Sequence, residues 1–246
     1  MVTAKLLIDW SPQQISGWLS TAYPDDESMR VSHETIYRSL FIQARGALKK
    51  ELTTHLRRGR SQRRARLIAP KPSTIVDAVS IRQRPADVED RAIPGHWEGD
   101  LLCGSRSSQI ATLVERKSRF VMLVKTPTKD TQLLVGALSK HVRKLPSQLR
   151  ASLTWDRGSE MAGHKLLTLA TQMQVYFCDP HSPWQRGSNE NTNGLLRQYF
   201  PKGTDVSGFS QDHLDEVAMR LNQRPRKTLD FATPARVFAL SVAQTG

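Results

Sequence analysis

The sequence is poor in the features that mark secreted and membrane proteins. It has only two cysteines, Cys103 and Cys178. They are too few for a disulfide framework and not clustered like zinc ligands, so both are expected to be buried as small hydrophobic side chains. The longest apolar runs, such as residues 120–124, are far shorter than the roughly 20 residues that cross a bilayer. Residues 1–10 lack the pattern of a secretory signal. We therefore expect a cytoplasmic protein without membrane contact.

Acidic side chains are scarce relative to basic ones. Lys and Arg total 36 against 23 Asp and Glu, which gives a formal net charge of +13. Such an excess favours a polyanionic partner, namely DNA, RNA or an anionic membrane, and the lack of an apolar span weakens the membrane alternative. The length of 246 residues suits one sizeable core with a smaller accessory domain, because domains usually contain roughly 100 to 200 residues.

Residues 1–44 carry the signals of two helix starts. Ser11 precedes Pro12, and Gln14 completes a capping box, while Ser32 is a second N-cap. The connection between the two helices is longer than the three or four residues usual in a helix-turn-helix. Both a DNA-reading helix-turn-helix and a plain helical hairpin therefore stay open, and we assign residues 1–44 to a partial helix-turn-helix region.

Residues 45–90 form a basic linker that contains several prolines. Between positions 45 and 66 the single acid is Glu51. A run of like charges repels itself and is usually extended until it meets phosphate. A solvated linker is the alternative for any one residue, whereas the group as a whole favours phosphate contact. The candidates for DNA contact are Arg57, Arg58, Arg60, Arg63 and Arg64.

Residues 91–246 show the pattern of an α/β domain. Short apolar or alternating runs come first and predict an antiparallel meander; they cover residues 96–102, 110–114 and 120–124. Helical and strand patterns then alternate. The helices are predicted at 131–143, 165–172 and 185–200, and the strands at 153–155 and 175–177. The predicted fold class is therefore α/β with a mixed sheet.

Three acids stand at informative places in this domain. Asp100 interrupts an apolar strand, Asp156 follows a predicted strand, and Glu190 lies early on the last predicted helix. Two Mg²⁺ ions can stabilise the attacking and leaving oxygens when a phosphodiester is cut, and hard cations prefer carboxylate oxygens. Taken singly, each acid has a simpler explanation. Asp100 could form an ion pair, Asp156 could be a turn residue, and Glu190 could be favoured by the helix dipole. Only their order and context favour one joint metal site.

Three strings around these acids carry a family resemblance: HWEGDL at 96–101, LTWDRGSEM at 153–161, and residues 176–205, which include SPWQRGSNENTNGLLRQYFPKGTD at 182–205. Further matching strings are WSPQQISGWL at 10–19, VSHETIYRSL at 31–40 and LNQRPRK at 221–227. Together they resemble the DDE superfamily of transposases and retroviral integrases, and specifically the IS-thirty family of bacterial insertion-sequence transposases. Asp156 lies 56 positions after Asp100, and 33 residues separate it from Glu190, as in that family.

The resemblance implies an RNase H-like core, a five-stranded mixed sheet flanked by helices, with Asp100, Asp156 and Glu190 as the catalytic residues and metal ligands. It implies two Mg²⁺ ions per active site, with Mn²⁺ as a substitute. The implied reaction is cleavage and strand transfer of double-stranded DNA, at the terminal inverted repeats of an element and at its target. A homodimer or larger synaptic complex at the bacterial nucleoid is also implied.

Other polar residues are candidate DNA contacts. Three lie beside the acids, with surface solvation or capping as the alternative: Arg157, Arg186 and Asn193. Glu98 shares a strand face with Asp100 and is expected to support the site, not to bind metal. The remaining basic candidates, with a solvated surface as the alternative, are Arg38, Lys202, Arg226 and Lys227.

Members of the resembling family carry a further helix-turn-helix region before the one seen here, so the chain is expected to be N-terminally shortened. A second function therefore stays open, that of a catalytically impaired, truncated transposase acting as a DNA-binding repressor. A structure-selective nuclease with the same metal chemistry is a rival within the enzyme class. The intact acids favour the transposase.

Overall fold

The structure of the chain, a computed structural model, describes residues 1–40, 75–88, 91–126, 128, 130–180 and 182–245. The linker arginines predicted to contact phosphate lie outside these residues; they are Arg57, Arg58, Arg60, Arg63 and Arg64. The described chain folds into two compact units. The first contains residues 1–40 and 223–237, and the second contains the described residues from 75 to 222 together with 238–245.

The first unit begins with three helices, α1 (Val2–Leu7), α2 (Pro12–Ala22) and α3 (His33–Arg38). Ser11 Oγ accepts a hydrogen bond from Gln14 N at 3.3 Å, and Ser32 Oγ accepts one from Thr35 N at 3.1 Å. Apolar side chains on one face of each helix pack into a small core, whose buried members are Leu6, Trp10, Ile15, Leu19, Ile36 and Leu40. Both predicted helix starts are confirmed.

Replacing Ser11 by Ala is expected to lower the free energy of unfolding by about 1 kcal/mol, because the N-cap side chain satisfies a backbone N–H that the helix leaves unpaired. The capping box is complete, since Ser11 N also donates to Gln14 Oε1 at 2.9 Å. Urea denaturation followed by circular dichroism measures the change. Ser20→Ala is the matched control, because the exposed Ser20 hydroxyl only bonds back to Ser16 O within α2. Equal losses in both variants would argue against the cap.

Residues 223–237 belong to the first unit, whereas the sequence pattern assigns all of 91–246 to the catalytic core. The reason is a set of specific contacts with the first two helices and their connection. Arg224 Nη2 lies 3.3 Å from Asp9 Oδ2, with both side chains largely buried. Gln14 Nε2 donates to the carbonyl of Pro225 at 2.9 Å. Phe231 packs so closely on Gly17 that a Cβ there would come within 2.1 Å of its ring.

A five-stranded mixed sheet forms the centre of the second unit. Its strands are β1 (His96–Cys103), β2 (Gln109–Glu115), β3 (Val121–Thr126), β4 (Ser152–Trp155) and β5 (Gln174–Phe177), in the spatial order β3-β2-β1-β4-β5. The first three pair antiparallel, which confirms the predicted meander. β4 pairs parallel with both β1 and β5. The α/β fold class and the mixed sheet are confirmed.

Helices cover both faces of this sheet. They are α4 (Thr131–Val142), α5 (His164–Thr171), α6 (Gly187–Leu196) and α7 (Gln211–Asn222). A last helix is α8 (Pro234–Thr245), of which residues 234–237 belong to the first unit and 238–245 to the second. On one face, α4 and α5 bury leucines against Trp97 and Trp155. On the other face, α6 and α7 pack against Leu102 and Ile110. Alternation along β1 explains the division, because successive side chains point to opposite faces.

Two expectations differ from the structure. The pattern at 185–200 predicts one helix, but a 3-10 turn (Pro183–Arg186) precedes α6, and α6 ends at Leu196. Cys178 is buried as expected, whereas Cys103 is exposed, because it is the last residue of β1 and lies at the end of the strand. Among the described residues, no helix is both long enough and apolar enough to span a membrane.

Candidate active site

Adjacent strands bring Asp100 and Asp156 together. β1 and β4 run parallel, and Glu98 is paired with Thr154 across them. Each aspartate lies two positions further along its own strand direction, and side chains two residues apart share a face of the sheet. Asp100 is within β1, whereas Asp156 follows the last residue of β4. The parallel register therefore places both carboxylates on the same face, at the point where β4 ends.

Arg186 bridges the two carboxylates. Its Nη1 lies 3.3 Å from Asp100 Oδ1, and its Nη2 lies 3.4 Å from Asp156 Oδ2. Nη1 also donates to the carbonyl of Gly99 at 2.8 Å. The side chain of Arg186 is only 8% exposed, whereas those of Asp100 and Asp156 are 24% and 43% exposed, so water screens the contact with Asp156 more than the contact with Asp100. The guanidinium fixes the separation and orientation of the aspartates.

The pKa values of Asp100 and Arg186 reflect their burial and the charges beside them. Burial raises the pKa of Asp100, Asp156 raises it further, and Arg186 opposes both. Burial alone would lower the pKa of Arg186, but the carboxylates of Asp100 and Asp156 raise it above its ordinary value. A single guanidinium thus offsets only part of the charge of two carboxylates, so the carboxylate pair still attracts further positive charge.

Glu190 lies in the first turn of α6, and its side chain is exposed. Asn193, one turn later, donates through Nδ2 to Asp100 Oδ2 at 3.0 Å, so the helix face carrying Glu190 approaches the aspartates. Within the described ranges, no three or more His, Cys, Asp or Glu side chains are arranged closely enough to share a metal ion. The structure therefore brings Asp100 and Asp156 together and leaves Glu190 on the neighbouring helix.

Glu98 and Asn189 fasten α6 to the strands. Glu98, completely buried, accepts hydrogen bonds from Ser188 N and Asn189 N at 2.8 and 3.0 Å. Asn189 donates through Nδ2 to the carbonyls of Glu98 and Thr112, and its Oδ1 accepts from Thr112 Oγ1 at 3.1 Å. A carboxylate that accepts hydrogen bonds from the unpaired N–H groups at the start of a helix stabilises the helix, because this end carries a partial positive charge. Glu98 therefore holds the start of α6 against β1, and its supporting role in the site stays a prediction. No separate signal in the sequence marks Asn189.

The candidate DNA contacts fall into two groups. Arg38, Arg157, Lys202 and Lys227 are exposed and Arg226 is half-buried, as a contact with a large ligand requires. For Arg186 and Asn193 the structure shows contacts with the aspartates, and their contact with phosphate stays a prediction. Arg186 is buried against both aspartates, and Asn193 is engaged with Asp100, because these carboxylates are the nearest groups that can satisfy their donors.

The sheet order and the carboxylate pair on its central strands define a class of protein. A family model described as "Integrase core domain" matches residues 90–183, which include Asp100 and Asp156 and end before Glu190. The second unit is therefore an integrase-type core with an RNase H-like fold, as the sequence motifs predicted.

Curated relatives narrow the class to one family. "Transposase InsI for insertion sequence element IS30A" of Escherichia coli (strain K12) is 49% identical over 249 residues, covering 100% of this chain and 65% of the relative. The transposase for IS1086 of Cupriavidus metallidurans is 50% identical, covering 95% of this chain and 70% of that protein. The transposase for IS4351 of Bacteroides fragilis is 33% identical, with coverages of 96% and 71%. The chain belongs to the IS30 family of insertion-sequence transposases.

The chain spans a little less than two thirds of the Escherichia coli relative, 65% of its length. The comparisons confirm the predicted family, and they extend beyond the integrase core to the helices of the first unit, since the alignment covers the entire chain.

Proposed function

We propose that this chain is a DDE transposase, which cuts DNA at the ends of an insertion sequence and joins those ends to target DNA. The observation that carries the proposal is the pair of carboxylates from adjacent parallel strands, Asp100 and Asp156, held on one buried guanidinium. Such a pair can gather divalent cations for in-line displacement at phosphorus. Membership of a transposase family supports the same reaction.

The donor set fits a hard divalent cation. Asp100 and Asp156 offer carboxylate oxygens, the ligands that Mg²⁺ prefers, and their combined charge exceeds that of Arg186. We assign Glu190 as the third ligand, because its helix is tied to Asp100 through Asn193. Two Mg²⁺ ions, with Mn²⁺ as a substitute, would supply the positive charge that stabilises the attacking and leaving oxygens.

The neighbouring residues hold this arrangement in place. Arg186 fixes the two aspartates, and Asn193 orients the carboxylate of Asp100. Glu98 anchors the start of α6, which keeps the helix of Glu190 against β1. Water then serves as the nucleophile that cuts the element end, and the 3′-hydroxyl so released attacks the target phosphodiester. Neither step requires a covalent enzyme intermediate.

Double-stranded DNA is the proposed partner, as the terminal inverted repeats of the element and as its target. The net charge of +13 supports a polyanionic ligand. Basic side chains in both units provide the proposed phosphate contacts. The exposed ones are Arg38, Arg157, Lys202 and Lys227, and Arg226 is half-buried. We propose that residues 1–44 act as a helix-turn-helix region and 45–90 as a basic linker to the core. A homodimer or larger complex would hold two element ends together at the nucleoid.

Purified chain incubated with a duplex carrying the element end, a target duplex and Mg²⁺ is expected to yield nicked and joined products, and no product when EDTA replaces Mg²⁺. Gel separation of end-labelled DNA measures both. Cutting without joining would favour a structure-selective nuclease. Sequence-specific binding by folded protein without any metal-dependent product would favour the repressor.

A further inference from the structure

Three arginines surround the sheet layer next to the carboxylate pair. Glu98 and Thr154 form that layer, two residues before Asp100 and Asp156 on the same face. Arg84 Nη1 donates to Thr154 Oγ1 at 3.1 Å, and Arg116 Nε lies 3.5 Å from Glu98 Oε1. The third, Arg119, donates to Ser188 Oγ at the start of α6.

Among the residues that the structure describes around this layer, positive charge exceeds negative charge. Arg91 is a fourth member, close enough to lower the pKa of both Arg116 and Arg119. We call Arg84, Arg91, Arg116 and Arg119 the arginine cluster. Only Glu98 and Glu115 oppose it among the described neighbours that influence these pKa values, and one Glu115 oxygen accepts from Ser118. Burial first, and then the neighbouring arginines, lower the pKa of Arg116 to about 10.

Arg116 is also incompletely satisfied. The residue is only 5% exposed, and its Nε and Nη1 have no hydrogen-bond acceptor in the part of the chain that the structure describes. The ion pair with Glu98 lacks hydrogen-bond geometry at 3.5 Å. Burying a guanidinium with unpaired donors among other cations is costly. A buried guanidinium with unpaired donors is less costly where an anionic ligand supplies the missing hydrogen-bond acceptors.

We propose that the arginine cluster binds the DNA phosphate adjacent to the one cut at Asp100 and Asp156. Two residues along a strand span about 7 Å, which is comparable to the distance between successive phosphates of one DNA strand. Arg91 is exposed, and Arg84 and Arg119 are half-buried, so the cluster opens to solvent on one side. Guanidinium groups suit phosphate because they donate two parallel hydrogen bonds.

The inference rests on the proposed function, and a neutral-linkage experiment tests it separately. Element-end duplexes are made with a single methylphosphonate, which removes one phosphate charge, at each position around the cleavage site. Wild-type chain is expected to bind about tenfold more weakly when the linkage next to the scissile one is neutral. The double variant Arg84→Gln/Arg119→Gln is expected to bind unmodified DNA about tenfold more weakly than wild type does. For this variant, neutralising the linkage next to the scissile one should weaken binding by less than a further factor of about two.

Arg143→Gln is the matched control. Arg143 is exposed at the end of α4, on the opposite face of the sheet, so the full tenfold penalty of the neutral linkage is expected to persist. Circular dichroism checks folding, and Arg84→Gln alone serves if the double variant unfolds. The inference is overturned if wild type cuts and joins DNA but the penalty is the same in wild type and variants. Failure of the proposed function is different, because wild type would then give no Mg²⁺-dependent product.

Discussion

Asp156→Asn is expected to reduce Mg²⁺-dependent cleavage by at least about 10³-fold, which corresponds to about 4 kcal/mol of barrier. The substitution keeps the size of the side chain but replaces a charged carboxylate by a neutral amide, a poor ligand for a hard cation. One contact survives it, because the amide oxygen can still accept the hydrogen bond from Gly158 N that Asp156 Oδ1 accepts at 3.1 Å. Single-turnover rates on pre-nicked and intact element ends separate joining from cutting.

The control for this loss is Asp130→Asn. Asp130 is an exposed acid that caps α4 by accepting from Gln132 N and Leu133 N, and asparagine caps helices equally well. The same charge is therefore removed without touching the carboxylate pair, and cleavage should stay near the wild-type rate. DNA binding by Asp156→Asn, measured by fluorescence anisotropy in EDTA, should be retained. Wild-type cleavage by folded Asp156→Asn would contradict its assignment as a metal ligand.

Gly99→Ala is expected to lower the free energy of unfolding by about 3 kcal/mol, at the upper end of the usual cost of overpacking. Gly99 lies on β1 between Glu98 and Asp100. A Cβ there would come within 2.2 Å of the ring of Trp155 and 3.1 Å of Leu153. Trp155 is completely buried, so neither the ring nor the strand can move away cheaply. Urea denaturation of the purified chain measures the effect.

Gly136→Ala is the opposite case in the same unit. Gly136 lies within α4, and a Cβ there meets nothing within 4 Å. Alanine should therefore raise stability by about 0.5 to 1 kcal/mol, through its higher helix propensity. If the two glycine variants changed stability by similar amounts, close contact with Trp155 would not be the reason that glycine occupies position 99.

Much of the fold follows from residue patterns. Alternation along β1 places Trp97 on one face and Glu98 and Asp100 on the other, and the structure has this arrangement. Capping residues located the start of α2, because a cap is a local interaction. The end of α6 was not found from the apolar spacing, which continues to Phe200, whereas α6 ends at Leu196. Pro201 follows Phe200, and the residue before a proline is biased away from the helical conformation.

The candidate site was predictable in part. The order and context of Asp100 and Asp156 indicated a shared site, and the structure brings them together. The place of Arg186 between them was not predictable, because its partners are 86 and 30 positions away in sequence. A basic residue near acids in a basic chain is usually a surface residue. The arginine cluster was missed for the same reason, since Arg84 lies 70 positions before Thr154, to which it donates a hydrogen bond.

The contact of residues 223–237 with the first two helices has a consequence for synthesis. On the ribosome, residues 1–40 emerge first, but Arg224, the buried partner of Asp9, is added only after every strand of the sheet has been translated. Until then Gly17 lacks the aromatic ring that covers it. The nascent first unit thus stays incomplete while the strands are being made, so a chain released before residue 223 would contain all five strands of the sheet but an unfinished helical unit.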